Sequence, residues 1–104
     1  MPHPSKAKGN RLERDVVNKL KESGIKAKRS WGSDGRSMGM AEEVDVVIEH
    51  NNRKLACQVK ARKKLSKVVR PNTEVIDCQV IKEDRGKIFF VITIDTFINL
   101  LKGE

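Results

Sequence analysis

Residues 43 to 60 read E-V-D-V-V-I-E-H-N-N-R-K-L-A-C-Q-V-K, two apolar runs interrupted by Asp45, Gln58 and Lys60. Alternate residues of a strand share a face. Glu43, Asp45 and Val47 therefore fall on one face of the first run, and Val44, Val46 and Ile48 on the other. In the second run Ala56, Gln58 and Lys60 lie opposite Leu55, Cys57, Val59 and Ala61. Asp45, Gln58 and Lys60 can thus project from one side of a hairpin. Carboxylate and amide oxygens are hard donors of the kind Mg²⁺ or Mn²⁺ takes. An ammonium two residues from such a ligand can hold an attacking water or neutralise developing charge. A hairpin with one solvent-facing side would show the same alternation without any chemistry.

A second carboxylate stands out upstream. From Gly9 or Asn10 to about Ser23 the spacing of Leu12, Val16, Val17 and Leu20 predicts a helix, with Asn10 as N-cap and Gly24 as stop. With Leu12 at 0° and about 100° per residue, Val16, Leu20 and Val17 fall near 40°, 80° and 140°, and Glu13 near 100°. Glu13 is inside the apolar stripe. A charge there is costly unless it meets a cation, hydrogen bonds or a metal. If this helix packs on the polar side of the hairpin, two carboxylates, an amide oxygen and an ammonium converge.

The remaining elements must hold these groups in place. Residues 1 to 8, with two prolines and no periodicity, suggest a flexible basic arm ahead of a single domain at 9 to 104. Ile25 to Trp31 reads as a short strand, followed by a glycine-rich loop from Gly32 to Ala41. Glu43 to Glu49 and Arg53 to Ala61 are strands joined by Asn51-Asn52, a pair suited to a type I′ turn. Residues 62 to 75 form a short helix or a loop broken at Pro71. Ile76 to Lys82 and Lys87 to Thr93 read as another hairpin, and Ile94 to Lys102 as a closing helix with Asp95 near its start.

Length and composition bound the function. The 104 residues suffice for one modest core, and 22 Lys plus Arg against 14 Asp plus Glu leave a net charge of +8. That balance favours a polyanionic partner, nucleic acid before membrane. With three Phe, one Trp and no Tyr, the chain lacks a platform for stacking unpaired bases. Cys57 and Cys78 have no zinc-site spacing and read as buried free thiols. Neither a signal peptide nor a membrane-spanning run is evident, so an intracellular, DNA-associated protein is expected.

Assembled in order, G-N-R-L-E-R-D-V-V with Glu13, K-R-S-W-G-S-D-G-R-S, E-V-D-V-V-I with Asp45 and Q-V-K-A-R with Gln58 and Lys60 resemble the PD-(D/E)xK nuclease superfamily. Within it the resemblance is to the archaeal type of Holliday junction resolvase and related small phage nucleases. It implies a restriction-endonuclease-like α/β fold with an αβββαβ core, a central mixed sheet flanked by helices. It also implies Mg²⁺- or Mn²⁺-dependent hydrolysis of DNA phosphodiester bonds. By position Asp45, Gln58 and the carbonyl of Val59 correspond to metal ligands, Lys60 to the catalytic lysine, and Glu13 to the helix-one glutamate that engages metal or water. Ser33, with Ser37 second, corresponds to the serine of the mobile loop.

Two positions depart from the pattern. Val44 stands where the superfamily often has Pro, and Gln58 replaces the more usual acidic residue. Losing one negative charge at Gln58 should weaken the metal site.

Arg53 to Arg70 carries Arg53, Lys54, Lys60, Arg62, Lys63, Lys64, Lys67 and Arg70 with no acidic residue. A one-signed run directly after a candidate active site reads as a phosphate track. Lys26, Lys28, Arg29 and Arg36 extend it. The resemblance implies a homodimer cutting branched DNA such as Holliday junctions, with the apolar C-terminal stretch offering a two-fold interface. Two other readings stand beside it: a nuclease of this fold nicking other DNA in restriction, repair or phage DNA processing, and a non-catalytic DNA-binding protein on a nuclease fold.

Overall fold

A computed structural model describes residues 4–30 and 39–103. The chain divides into two compact units, Met1–Ala61 and Arg62–Glu104, where a single domain from residue 9 was expected. The division falls at the start of a stretch, 62–77, that forms turns without a helix or strand. Each unit carries its own antiparallel sheet. The mixture of helices and sheets is consistent with the restriction-endonuclease-like α/β fold, but the described residues run αβββββα and form two antiparallel sheets rather than one central mixed sheet of αβββαβ order, because 62–77 supplies no helix between the hairpins.

In the first unit α1 (Pro4–Glu22) precedes β1 (Lys26–Arg29), β2 (Val46–His50) and β3 (Arg53–Cys57). The helix begins earlier than the periodicity predicts. Residues 4–8 are helical rather than an irregular arm, and Asn10 lies inside the helix rather than capping it. The local cause is compositional: Pro is favoured at a first helical position, and Ala7, Lys6 and Lys8 are good helix formers. At the other end Gly24, at φ 82°, stops the helix as expected. Gly24 N–H donates to the Lys21 carbonyl (3.0 Å) and Ile25 N–H to that of Leu20 (2.9 Å), a Schellman arrangement. Its apolar partners, Leu20 and Ile25, are both buried.

The sheet order is β1-β2-β3, with β2 in the middle. Ala27 pairs with Ile48 and Arg29 with Val46 across the first ladder, and Val46 pairs with Cys57 and His50 with Arg53 across the second. The hairpin turn places Asn51 at φ 50° and Asn52 at φ 64°, the two left-handed residues of a type I′ turn. Helix α1 packs on β1. The core comprises Val17, Leu20, Ile25, Ala27, Val46, Val47 and Ile48. Full burial of a side chain such as Leu20 is worth about 2 kcal/mol, enough for this helix–sheet contact to fix which face of α1 looks inward.

In the second unit β4 (Cys78–Lys82) and β5 (Ile88–Ile92) form a hairpin, with Cys78 opposite Ile92 and Lys82 opposite Ile88. Its turn closes through Gly86 N–H donating to the Glu83 carbonyl at 3.0 Å. Helix α2 (Ile94–Lys102) follows with the predicted bounds. Thr93 is its N-cap, accepting from Thr96 N–H at 3.2 Å, and Gly103 at φ 75° ends it. Residues 62–77 are tied locally by Arg70 N–H to the Ser66 carbonyl (3.0 Å) and Ile76 N–H to the Asn72 carbonyl (2.9 Å). The Gln79 amide nitrogen adds donations to the Lys67 and Val68 carbonyls. Both cysteines are free, but only Cys57 is partly buried; Cys78, first residue of a two-stranded hairpin, is exposed, contrary to expectation. No described helix is long and apolar enough to cross a membrane.

Candidate active site

Glu13 occupies the buried face of α1 with Val17 and Leu20, and only 3 % of its surface is exposed. A carboxylate so placed needs a compensating charge. Arg29, at the end of β1, supplies one: Nε donates to Glu13 Oε1 at 3.3 Å, and Nη2 lies 3.3 Å from the same oxygen. The pairing follows from strand alternation. Ala27 is buried against the helix side, and Arg29, two residues on, shares its face.

Asp45 immediately precedes β2 and is buried, with 9 % of its surface exposed. Its position is fixed on three sides. Its N–H donates to the Cys57 carbonyl at 2.8 Å, and its carbonyl accepts from Ser30 N–H at 2.9 Å. Ser30 Oγ, also buried, donates to the same carbonyl at 3.3 Å. Beyond the last regular pair, Val46 with Cys57, the Asp45 side chain takes over from the ladder: Val59 N–H donates to Oδ2 at 2.7 Å. Among the described residues no donor takes Oδ1.

These bonds place Glu13 and Asp45 at the same end of the three-stranded sheet, but Arg29 pairs with Val46, so the face that carries Arg29 and Glu13 is that of Val46 and Ile48, opposite the one strand alternation gives to Asp45. The link is the dipeptide Arg29-Ser30, whose first residue holds Glu13 and whose second holds Asp45. Gln58 and Lys60 flank Val59, the residue whose amide binds Asp45, and both are exposed. The groups near this end that could donate to a cation are the carboxylates, the Gln58 amide oxygen and backbone carbonyls. Such donors suit a hard divalent cation that keeps several waters. The described residues contain no group of three or more His, Cys, Asp or Glu side chains, so Gln58 and main-chain oxygens would have to complete the shell.

By its place in a basic run Arg29 is expected to contact phosphate, whereas the structure pairs it with Glu13; no pattern in the sequence marks Ser30. A signal was present for Arg29: a cation on the same strand face as Ala27 and a carboxylate in an apolar helical stripe are two exceptions that cancel. Ser33, Ser37 and Arg36 lie outside the described residues. Lys28 is exposed on β1. Arg62, Lys63, Lys64, Lys67 and Arg70 are all exposed on the second unit.

The far end of the sheet has a different character. Glu49 pairs with Lys26 at 3.2 Å and with Lys54 at 3.8 Å across the two ladders. The hydrogen bond from Lys26 holds the Glu49 carboxyl below the ordinary glutamate range; partial desolvation opposes it, and the charges of Lys26, Lys54 and Lys28 add to the lowering. These are surface pairs that pin strand register rather than groups prepared for chemistry.

No curated protein and no solved structure matches the chain. A family model does, over residues 4–95, a span that includes Glu13, Asp45, Gln58 and Lys60 together with the basic run that follows them. The chain belongs to the archaeal Holliday junction resolvase (hjc) family.

Proposed function

We propose that the protein is a divalent-metal-dependent endonuclease that hydrolyses phosphodiester bonds in branched DNA, Holliday junctions above all, and acts as a homodimer. The observation that carries this reading is the placement of buried Glu13 and Asp45 at one end of the sheet through Arg29 and Ser30, in a chain of a resolvase family. Asp45, Gln58, the Val59 carbonyl and Glu13 would hold Mg²⁺ or Mn²⁺. A bound ion supplies charge stabilisation at the phosphoryl oxygens and a more acidic water. Val59 N–H orients the Asp45 carboxylate through Oδ2 and leaves Oδ1 for a ligand role. Lys60 is assigned to hold the attacking water or neutralise developing charge, and Ser33 to contact substrate from the loop.

Lys28, Arg29, Arg36, Arg62, Lys63, Lys64, Lys67 and Arg70 are assigned to the DNA phosphates, with Arg29 also holding Glu13. A two-fold enzyme suits a four-way substrate because symmetric cuts need two sites. The exposed apolar side chains Ile88, Phe89, Phe90 and Leu100 of the second unit support such an association.

One observation favours a second reading, a DNA-binding protein without catalysis: Gln58 offers an amide where a carboxylate would bind the metal more tightly. The two separate cleanly. Four-way junction, duplex, flap and single-stranded DNA are incubated with the protein in Mg²⁺ and in Mn²⁺, beside Asp45→Ala and Lys60→Ala. Preferential cutting of the junction, lost in both variants while binding persists, is the expected result. Cutting of all forms alike would assign a general nicking nuclease, and no cutting in either metal would leave only the binding role.

A further inference from the structure

Gly9 sits in the interior of α1, five residues after its start, where glycine is among the least favourable residues for a helix. Nothing in the described fold accounts for it. A Cβ built at this position meets no atom within 4 Å among the described residues, so no packing contact with them demands a hydrogen there. Its φ is not positive, so no left-handed turn demands it either.

Its position on the helix gives a reason. Gly9 precedes Glu13 by four residues and Lys6 precedes it by seven, so all three line one side of α1, within about 60° of each other at 100° per residue. The same line continues to Val17 and Leu20, which are buried on the sheet. Followed towards the N-terminus, the inward face of the helix passes from apolar core to the candidate active site at Glu13, then to a bare glycine, then to the exposed ammonium of Lys6. The rise from Glu13 to Lys6 is about 10 Å, the axial length of about three nucleotides in a B-form strand. The first turn contains no acidic residue. The positive dipole end of a helix favours an anion.

We infer that Gly9 is a notch through which the sugar–phosphate backbone of the DNA substrate approaches α1, next to the scissile position, with Lys6 neutralising a phosphate beyond it. Glycine permits this because it lets a ligand backbone reach the helix main chain without meeting a side chain. The inference rests on the junction-nuclease reading above and adds to it a substrate-contact surface on the N-terminal extension of the helix.

Binding of four-way junction DNA is measured by fluorescence anisotropy in EDTA, with thermal melting of each free protein. Gly9→Ala and Gly9→Leu should melt at or above the wild-type temperature, because either residue is a better helix former. Both should bind the junction more weakly, the leucine variant by about tenfold or more, since its side chain would occupy the space of the DNA backbone. Asn18→Leu, which adds the same side chain at an exposed site on another side of α1, should bind like wild type. Lys6→Ala should reduce the slope of log affinity against log salt by about 0.9.

Raised melting temperature with unchanged affinity in Gly9→Leu would overturn the inference. A lowered melting temperature would also overturn it, by showing that part of this chain packs against Gly9. If the wild type itself fails to bind the junction, the junction-nuclease reading fails, a result distinct from binding that ignores Gly9.

Discussion

Arg29 and Glu13 meet through a single carboxylate oxygen: Nε and Nη2 of the arginine both lie 3.3 Å from Oε1 of a glutamate that is 3 % exposed. The arginine is therefore both an electrostatic counterweight and a geometric constraint on the helix-one carboxylate. Arg29→Ala leaves a buried charge without this partner and should destabilise the fold by about 2–4 kcal/mol, less than the full value for a buried pair because the arginine side chain is partly exposed. Glu13→Gln in the same background should recover part of that loss. Chemical denaturation of the two single variants and the double variant measures the coupling; additive effects would show that the pair contributes nothing.

Gln58→Glu tests the metal site from the opposite direction, by adding charge. If Gln58 is a ligand, the carboxylate should lower the Mg²⁺ concentration for half-maximal junction cleavage by about tenfold, since a hard cation gains from ligand charge. Metal titrations of cleavage by both proteins decide the matter. An unchanged midpoint would remove Gln58 from the coordination shell.

The exposed lysines after the site make a quantitative claim about salt. Replacing Lys63, Lys64 and Lys67 together by Ala should flatten the dependence of log affinity on log salt by about 2.7, on the basis of about 0.9 per lost phosphate contact. Melting temperature should not change, because all three side chains are exposed. An unaltered slope would reduce this run to a solvated surface.

Cys57 and Cys78 should react differently. Burial raises the Cys57 thiol above its ordinary range, because the thiolate is poorly solvated there. Iodoacetamide at pH 8 should alkylate exposed Cys78 first and Cys57 slowly, with the difference abolished in denaturant. The sign for stability follows: a group whose folded value is raised stabilises fully below its unfolded value, about pH 8.5, and loses that contribution as pH rises through the folded value. Cys57→Ala should therefore flatten the alkaline fall of melting temperature. Equal alkylation rates in the native protein would contradict the partial burial of Cys57.

Much of the local structure was legible because its causes are local. Asn51-Asn52 dictates a type I′ turn whatever surrounds it, Gly24 supplies the left-handed stop, and α2 ends at Gly103. The helical period alone places Glu13 on the buried face of α1, and strand alternation singles out Asp45, Gln58 and Lys60. The start of α1 was not legible in the same way. Periodicity reports only the part of a helix that packs on something, and Pro4 to Lys8 have no apolar stripe to display.

What the chain alone determined, then, was the identity and spacing of the chemical groups, since backbone geometry converts spacing into shared faces. Tertiary structure decided which charges meet. Arg29 and Glu13 are sixteen residues apart, and Ser30 and Asp45 fifteen. Their pairing depends on α1 packing on β1 and on the register of β1 against β2. It made Arg29 a partner of the candidate active site, and Val59 N–H the group that orients Asp45, because a buried carboxylate must find donors and only the folded sheet supplies them at the right distance.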